Sequence, residues 1–191
     1  MTARWVVDEV VPARNVKVNW RPISLLFKNN PDPESRYYDR VVKTHKMLRV
    51  MESVRAAEGD GPIQALYWEM GSRIHHDKDV DFPMADALRA VGLNESHAAA
   101  FDDEAWDEAV RRGHDDGLAL VGQDVGTPII AFADANGDRV GIFGPVITRV
   151  PSPELSLQLW DGMVACMQVP GFWELKKTRT ESPDLGDRPT V

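Results

Sequence analysis

Residues 3–13 carry Trp5, Val6, Glu9, Val10 and Ala13 at helical spacing, which predicts a first helix. Val16 to Leu25 then alternates. Val16, Val18 and Trp20 fall on one face and Lys17, Asn19 and Arg21 on the other, the period of a strand. Asn29-Asn30-Pro31-Asp32-Pro33 reads as a loop and helix entry. From about 34 to 117 the pattern is helical throughout. Tyr37, Val41, Val42, His45, Leu48, Met51 and Val54 form one long stripe, which Gly59-Asp60-Gly61-Pro62 breaks. Ile63 to Ile74, Asp79 to Val91 and Asp102 to Leu120 predict three further helices. The period changes at Gly126-Thr127-Pro128. Ile129 to Phe132 reads as a buried strand, Asn136-Gly137 as a hairpin turn, and Val140 to Phe143 as the antiparallel return. Leu155 to Met167 is an amphipathic helix, and the polar, Pro-rich 178–191 is expected to be a disordered tail.

The order is therefore helix, strand, helical block, two strands, helix. A parallel crossover sets a strand before its helix, so the chain is expected to open in the middle of a βαβ unit. Residues 30–117 read as an all-helical insertion into a domain made of 1–29 and 118–177.

Composition narrows the function classes. The chain has 191 residues, 43% of them hydrophobic and 27% charged, ordinary values for a globular fold. Its net charge of −8 argues against nucleic-acid binding, which needs a basic face. Lys176-Lys177-Thr178-Arg179 is the one basic run, and acidic residues flank it. No stretch reaches the ~18 apolar residues of a membrane span. Asp8 and Glu9 fall where a signal peptide would be apolar. Cys166 is the single cysteine, so no intrachain disulfide or Cys-rich metal site is available, and a reducing cytoplasm is expected.

Five blocks carry a family likeness: Ala3-Arg4-Trp5, Gly71-Ser72-Arg73-Ile74-His75, Val121-Gly122-Gln123-Asp124-Val125-Gly126-Thr127-Pro128, Phe143-Gly144-Pro145, and Phe172-Trp173-Glu174-Leu175-Lys176-Lys177-Thr178-Arg179-Thr180. In these the chain resembles the DsbA-like thiol–disulfide oxidoreductases, in the actinobacterial branch of mycothiol-dependent nitroreductases. The resemblance implies an α/β fold: a thioredoxin-like, DsbA-type sheet with an all-helical insertion. It also implies a first strand leading into a Cys-Pro-Trp-Cys or Cys-Pro-Trp-Ala motif. This chain contains neither, and Met1 falls a few residues past the family's nucleophilic cysteine. Cys166, late in a predicted amphipathic helix and without a partner cysteine, is expected to be a small structural hydrophobe rather than a replacement.

The remaining site residues follow from the same likeness. Thr127-Pro128 is implied to be a cis pair beside the active cysteine, its backbone open to an extended thiol ligand. Asn29, with Tyr38 or Tyr37, is implied to line the thiol and substrate pocket; a capping Asn and a core Tyr are the plainer alternatives. His75 is a candidate for the cleft. His75-His76 and His114-Asp115-Asp116 lack a third metal ligand at suitable spacing, and helix-terminal histidines favoured by the dipole are the simpler reading. Trp20, Trp68, Trp106 and Trp160 fall at core positions.

The expected activity is thiol-dependent reduction of a disulfide or a nitro compound. Mycothiol would serve as co-substrate, with no bound metal, nucleotide or flavin. A catalytically inactive, binding-only chain is one alternative; an isomerase of the hydroxychromene-carboxylate type is another. An open sheet edge would make the isolated chain unstable or pair it with a second copy as a homodimer.

Overall fold

The computed structural model describes residues 1–134 and 136–189. Its elements run α1 (Thr2–Trp5), a π-helical stretch (Val6–Val10) and α2 (Val11–Ala13) without a break, then α3 (Leu25–Asn29), α4 (Tyr38–Glu58), α5 (Ile63–His75) and α6 (Met84–Ala90). Two 3-10 stretches, Glu95–Asp102 and Glu104–Trp106, lead into α7 (Asp107–Val121). The strands β1 (Ile129–Ala133) and β2 (Arg139–Phe143) and the helix α8 (Pro153–Met167) follow. The chain is mixed and helix-rich, with a two-stranded antiparallel sheet among the described residues. It divides into two compact units: Met1–Val18 with Gly117–Gly186, and Asn19–Asp116 with the described part of Asp187–Val191.

In the first unit the opening helix widens at Val6–Val10, just before Pro12. Proline supplies no amide and crowds the carbonyl one turn back, and a widened turn accommodates both. The hairpin forms around the Asn-Gly signal with Ile129 opposite Phe143, Ile130 opposite Ile142 and Phe132 opposite Val140, one residue off the register of a two-residue Asn136-Gly137 turn; Gly137 stands at φ +87° and returns its amide to the Asp134 carbonyl. Ala135 lies outside the described residues. Trp5, Val10 and Met163 are buried, and Val16, Ile130, Ile142, Leu159 and Trp160 pack around them half-buried. The Trp5 indole donates to the Ser156 carbonyl at 3.2 Å and lies 5.9 Å from the Trp160 ring.

The second unit is helical. The α4 residues Met47, Val50, Met51 and Val54 pack with Ile63, Leu66 and Met70 of α5, with Phe82, and with Met84, Ala87 and Leu88 of α6; Leu93 and Ala100 complete this core. Gly59 ends α4 at φ +79°, a conformation that costs a glycine nothing. Trp20 packs half-buried on this core, stacked 4.7 Å from Tyr67.

Three expected elements differ from the structure. Val16 to Leu25 is not a strand: residues 16–24 carry no ladder. Pro22 offers no amide, Val16 is drawn into the first unit's core and Trp20 into the second's, and Ser24 starts a helix instead. The helix expected from Asp79 begins at Met84, because the Asp79 carboxylate takes the Asp81 amide at 2.7 Å in a local turn. The helix expected from Asp102 begins at Asp107, because the Asp103 carboxylate takes the Ala105 amide in the same way. Residues 178–189 carry no regular element, yet the Asp184 amide donates to the Thr148 carbonyl and Arg4 to that of Leu185. Thr190 and Val191 of the expected tail lie outside the described residues.

Candidate functional site

In the first unit, Thr127 is exposed and Pro128 half-buried, and the bond between them is cis, as is Gly144-Pro145. The Pro128 carbonyl accepts the Gly144 amide at 2.8 Å, one rung beyond the Ile129–Phe143 pair. Thr127 therefore stands at the open end of the hairpin. The Phe143 ring, 39% exposed, lies against Gly126. An exposed backbone beside an exposed aromatic edge offers hydrogen bonds and apolar contact to an extended ligand.

The other expected residues are in the helical unit, at helix ends. Asn29 is the last residue of α3 and exposed; Tyr38 is the first of α4 and half-buried; His75 is the last of α5 and exposed. Tyr37 caps α4 from outside, 55% exposed, with the Arg36 guanidinium 4.5 Å over its ring. Desolvation first, and then the Arg40 charge from the first turn of α4, hold the His75 ring below its ordinary pKa. His76 caps the C-terminus of α5, where the dipole favours it. Trp20, Trp106 and Trp160 pack against the cores.

Sequence reasoning missed a buried chain beneath α3. The Ser24 Oγ caps that helix, accepting the Phe27 amide at 3.2 Å. It lies 2.9 Å from His45 Nδ1, and His45 Nε2 lies 2.9 Å from Asp107 Oδ1. Arg49 clamps the same carboxylate through one guanidinium edge, Nε to Oδ1 at 2.5 Å and Nη2 to Oδ2 at 2.9 Å. Ser24 is 0% exposed, His45 2% and Arg49 5%. Desolvation lowers the His45 pKa and outweighs the opposing pull of Asp107. Burial alone would raise the Asp107 carboxyl, but the Arg49 and His45 hydrogen bonds overcome it and the pKa falls. A neutral ring with its proton on Nε2 satisfies every member: Phe27 N–H to Ser24, Ser24 O–H to His45, His45 N–H to Asp107.

The trio has the residue types of a hydrolase triad but not the access. The Ser24 hydroxyl is buried and committed to a helix cap, so no substrate carbonyl can reach it. The only sequence signal for it was Ser24 before an apolar run. A surface pocket of about 360 Å³ also opens in this unit, among Lys43, Asp81, Phe82, Met84 and Phe101; none of the expected residues lines it.

Cys166 is half-buried in α8. Among the described residues no group of three or more His, Cys, Asp or Glu is placed to hold a metal, and no helix is long and apolar enough to cross a membrane. One comparison decides the relationship. The family model Rv2466c-like, described as mycothiol-dependent nitroreductase Rv2466c, matches residues 1–177. The chain belongs to this Rv2466c-like family. The match takes in both compact units up to residue 177, and with them Asn29, Tyr38, His75, Thr127 and Pro128.

Proposed function

We propose that this chain is the substrate-binding and scaffolding part of a mycothiol-dependent reductase with a DsbA-type thioredoxin-like architecture. In that architecture residues 1–29 with 118–177 would be the thioredoxin-like domain and 30–117 its helical insertion, although 19–29 group with the helical unit. The observation that carries the reading is the family match over residues 1–177. The sequence holds no Cys-Pro-Trp-Cys or Cys-Pro-Trp-Ala motif, and Cys166 does not replace its nucleophilic cysteine. Cys166 is half-buried, has no second cysteine to pair with, and sits in the body of α8 rather than at a helix N-terminus, where the dipole favours a thiolate.

In the hairpin unit the Thr127 backbone and Pro128 would hold a thiol ligand in extended form; in the helical unit Asn29, Tyr38 and His75 are the candidate residues for mycothiol or the electrophile. Two thiols give up two electrons and two protons and become a disulfide. The electrons reduce a substrate disulfide to two thiols, or a nitro group to a nitroso group with release of water. The protein's part is to bind and align the reactants.

The test compares the 191-residue chain with the protein isolated from its host. The chain alone should bind mycothiol, fail to turn over a nitro substrate, and behave the same as Cys166→Ser. A host protein that exceeds 21.3 kDa by roughly 2–3 kDa, the mass of a strand, a turn and the motif, and that turns over would place the nucleophile in sequence outside this chain. Turnover by the 191-residue chain that is lost in Cys166→Ser would make Cys166 the nucleophile. A host protein of 21.3 kDa that binds mycothiol without turnover would leave a binding role.

A further inference from the structure

Asn29 ends a helix of five residues. A helix so short has no stability of its own and stands only as firmly as its attachments. At its N-terminus the attachment is Ser24, capping the Phe27 amide. In its body it is Phe27, whose ring lies 4.6 Å from the His45 ring, 5.9 Å from that of His114, and 3.8 Å beneath the Arg111 guanidinium. At its C-terminus Asn30, at φ +40°, returns its amide to the Leu26 carbonyl. His45 takes part in two of these attachments, through the Ser24 hydroxyl and through the Phe27 ring.

We infer that His45 is a positioning residue for Asn29: held at one ring nitrogen by Asp107, which Arg49 clamps, it fixes the Ser24 hydroxyl with the other, and Ser24 fixes α3. This rests on the reading of Asn29 as a thiol-pocket residue. The hydrogen bonds run in one direction only while the ring is neutral. A proton on Nδ1 would turn that nitrogen into a donor toward Ser24, whose own buried hydroxyl proton would lose its acceptor. The charged and titratable groups facing His45 are Asp107, Arg49 and Arg111. Those around the second buried ring, His114, are Asp115, Arg111 and Lys28. In both rings desolvation is the first cause of a pKa below the ordinary 6.5. α3 is therefore fully docked above about pH 6.5 and loosens as pH falls through the depressed values.

The experiment follows two readouts on the full 191-residue chain: amide exchange of Phe27 and Lys28, corrected for intrinsic pH dependence, and mycothiol affinity by calorimetry. The variants are Ser24→Ala, His45→Phe, His45→Gln and Asn29→Ala. Loss of a Ser cap is worth about a fivefold to tenfold change in the local opening equilibrium. Ser24→Ala and His45→Phe should speed α3 exchange by that factor at pH 7.5, weaken mycothiol binding several-fold, and leave the exchange of α5 unchanged. Wild type should reach the same state on going from pH 7.5 to pH 5. His45→Gln keeps an amide donor for Asp107 but removes one of the two titrating rings, so the pH dependence of both readouts should shrink to the part that His114 contributes. Unchanged α3 exchange in Ser24→Ala and His45→Phe would overturn the inference whatever the affinity does. Weaker binding in Asn29→Ala but not in those variants would overturn it and leave the Asn29 reading standing. Unchanged binding in Asn29→Ala, or no binding of mycothiol at all, would remove the Asn29 reading and the inference with it.

Discussion

The helical unit buries thirteen apolar side chains in one cluster, whereas the cluster of the unit that carries Thr127 and Pro128 has Trp5, Val10 and Met163, with Leu118 buried apart from it. Large exposed apolar residues divide the other way. Leu25 and Tyr37 belong to the helical unit; Phe143, Val146, Leu155, Val169, Trp173 and Leu175 belong to the hairpin unit. The difference separates two tasks. A closed core makes the helical unit a rigid carrier for side chains at helix ends, such as Asn29 and His75. A thin core with open apolar surface gives the hairpin unit what a ligand or a partner can cover. The helical unit should therefore resist unfolding longer, and each of its buried contacts should count for more.

The strongest way to break this contrast is to cut into the larger core. Leu66 is 0% exposed between α4 and α6 neighbours, and Leu66→Ala leaves a void that thirteen mutually packed side chains cannot close without moving. The expected loss is about 3 kcal/mol, read as a lower urea midpoint by circular dichroism at 222 nm. A loss below about 1 kcal/mol would mean that the core relaxes freely and is not the rigid part.

Overpacking tests the hairpin unit. A Cβ at Gly141 would stand 2.8 Å from the Leu120 Cβ, which is fixed to the backbone and unable to swing away, and 3.2 Å from its Cδ1. Gly141→Ala should cost about 1–3 kcal/mol and should speed amide exchange along β1 and β2 while α4 and α5 stay protected. Equal loosening of both units would show that they share one cooperative transition, and the comparison would lose its energetic meaning.

What could be read from the sequence divides along the same physical line. The hairpin around Asn136-Gly137, the break at Gly59 to Pro62 and the helices Ile63–His75 and Pro153–Met167 follow from signals a few residues long. Val16 to Leu25 misleads because alternation states only that a segment can pair, while pairing depends on a neighbour that the window does not contain. Asp79 and Asp103 mislead because a carboxylate that captures its own backbone competes with a helix start only one turn away. The site is less legible. Ser24 and His45 are 21 residues apart and His45 and Asp107 are 62 apart, so no local spacing could join them. Cis geometry at Thr127-Pro128 came from the family likeness, and the structure has it.

Acid should sharpen the comparison from the helical side. His114 is 4% exposed and its Nδ1 has no hydrogen-bond partner; desolvation lowers its pKa. A buried ring of this kind contributes fully above its unfolded pKa of 6.5 and loses that contribution as pH falls through the folded value. His114→Leu removes both the unpartnered nitrogen and the titration. It should change stability by about 1 kcal/mol or less at pH 7.5 and be the more stable of the two proteins at pH 5, measured as melting temperature against pH. An acid limb as steep in His114→Leu as in wild type would assign the acid sensitivity elsewhere, first to His45.

The smallest effect belongs to the hairpin unit, where a thin core invites the idea that ion pairs make up the difference. Arg14 meets both oxygens of Asp161 on α8, at 3.1 and 2.6 Å, raising the Arg14 pKa and lowering that of Asp161. The geometry is good but the setting is water: the two side chains are 35% and 57% exposed. Two solvated ions gain little on meeting, lose rotamer freedom in holding the pose, and are screened by salt. Arg14→Ala should therefore leave the urea midpoint unchanged within error at physiological ionic strength, with a detectable drop only at low salt. A drop that persists at high salt would show that the Arg14 stem, lying along the end of the first helix, excludes water from the Trp5 cluster. The hairpin unit would then have a core wider than the three buried side chains of the Trp5 cluster suggest.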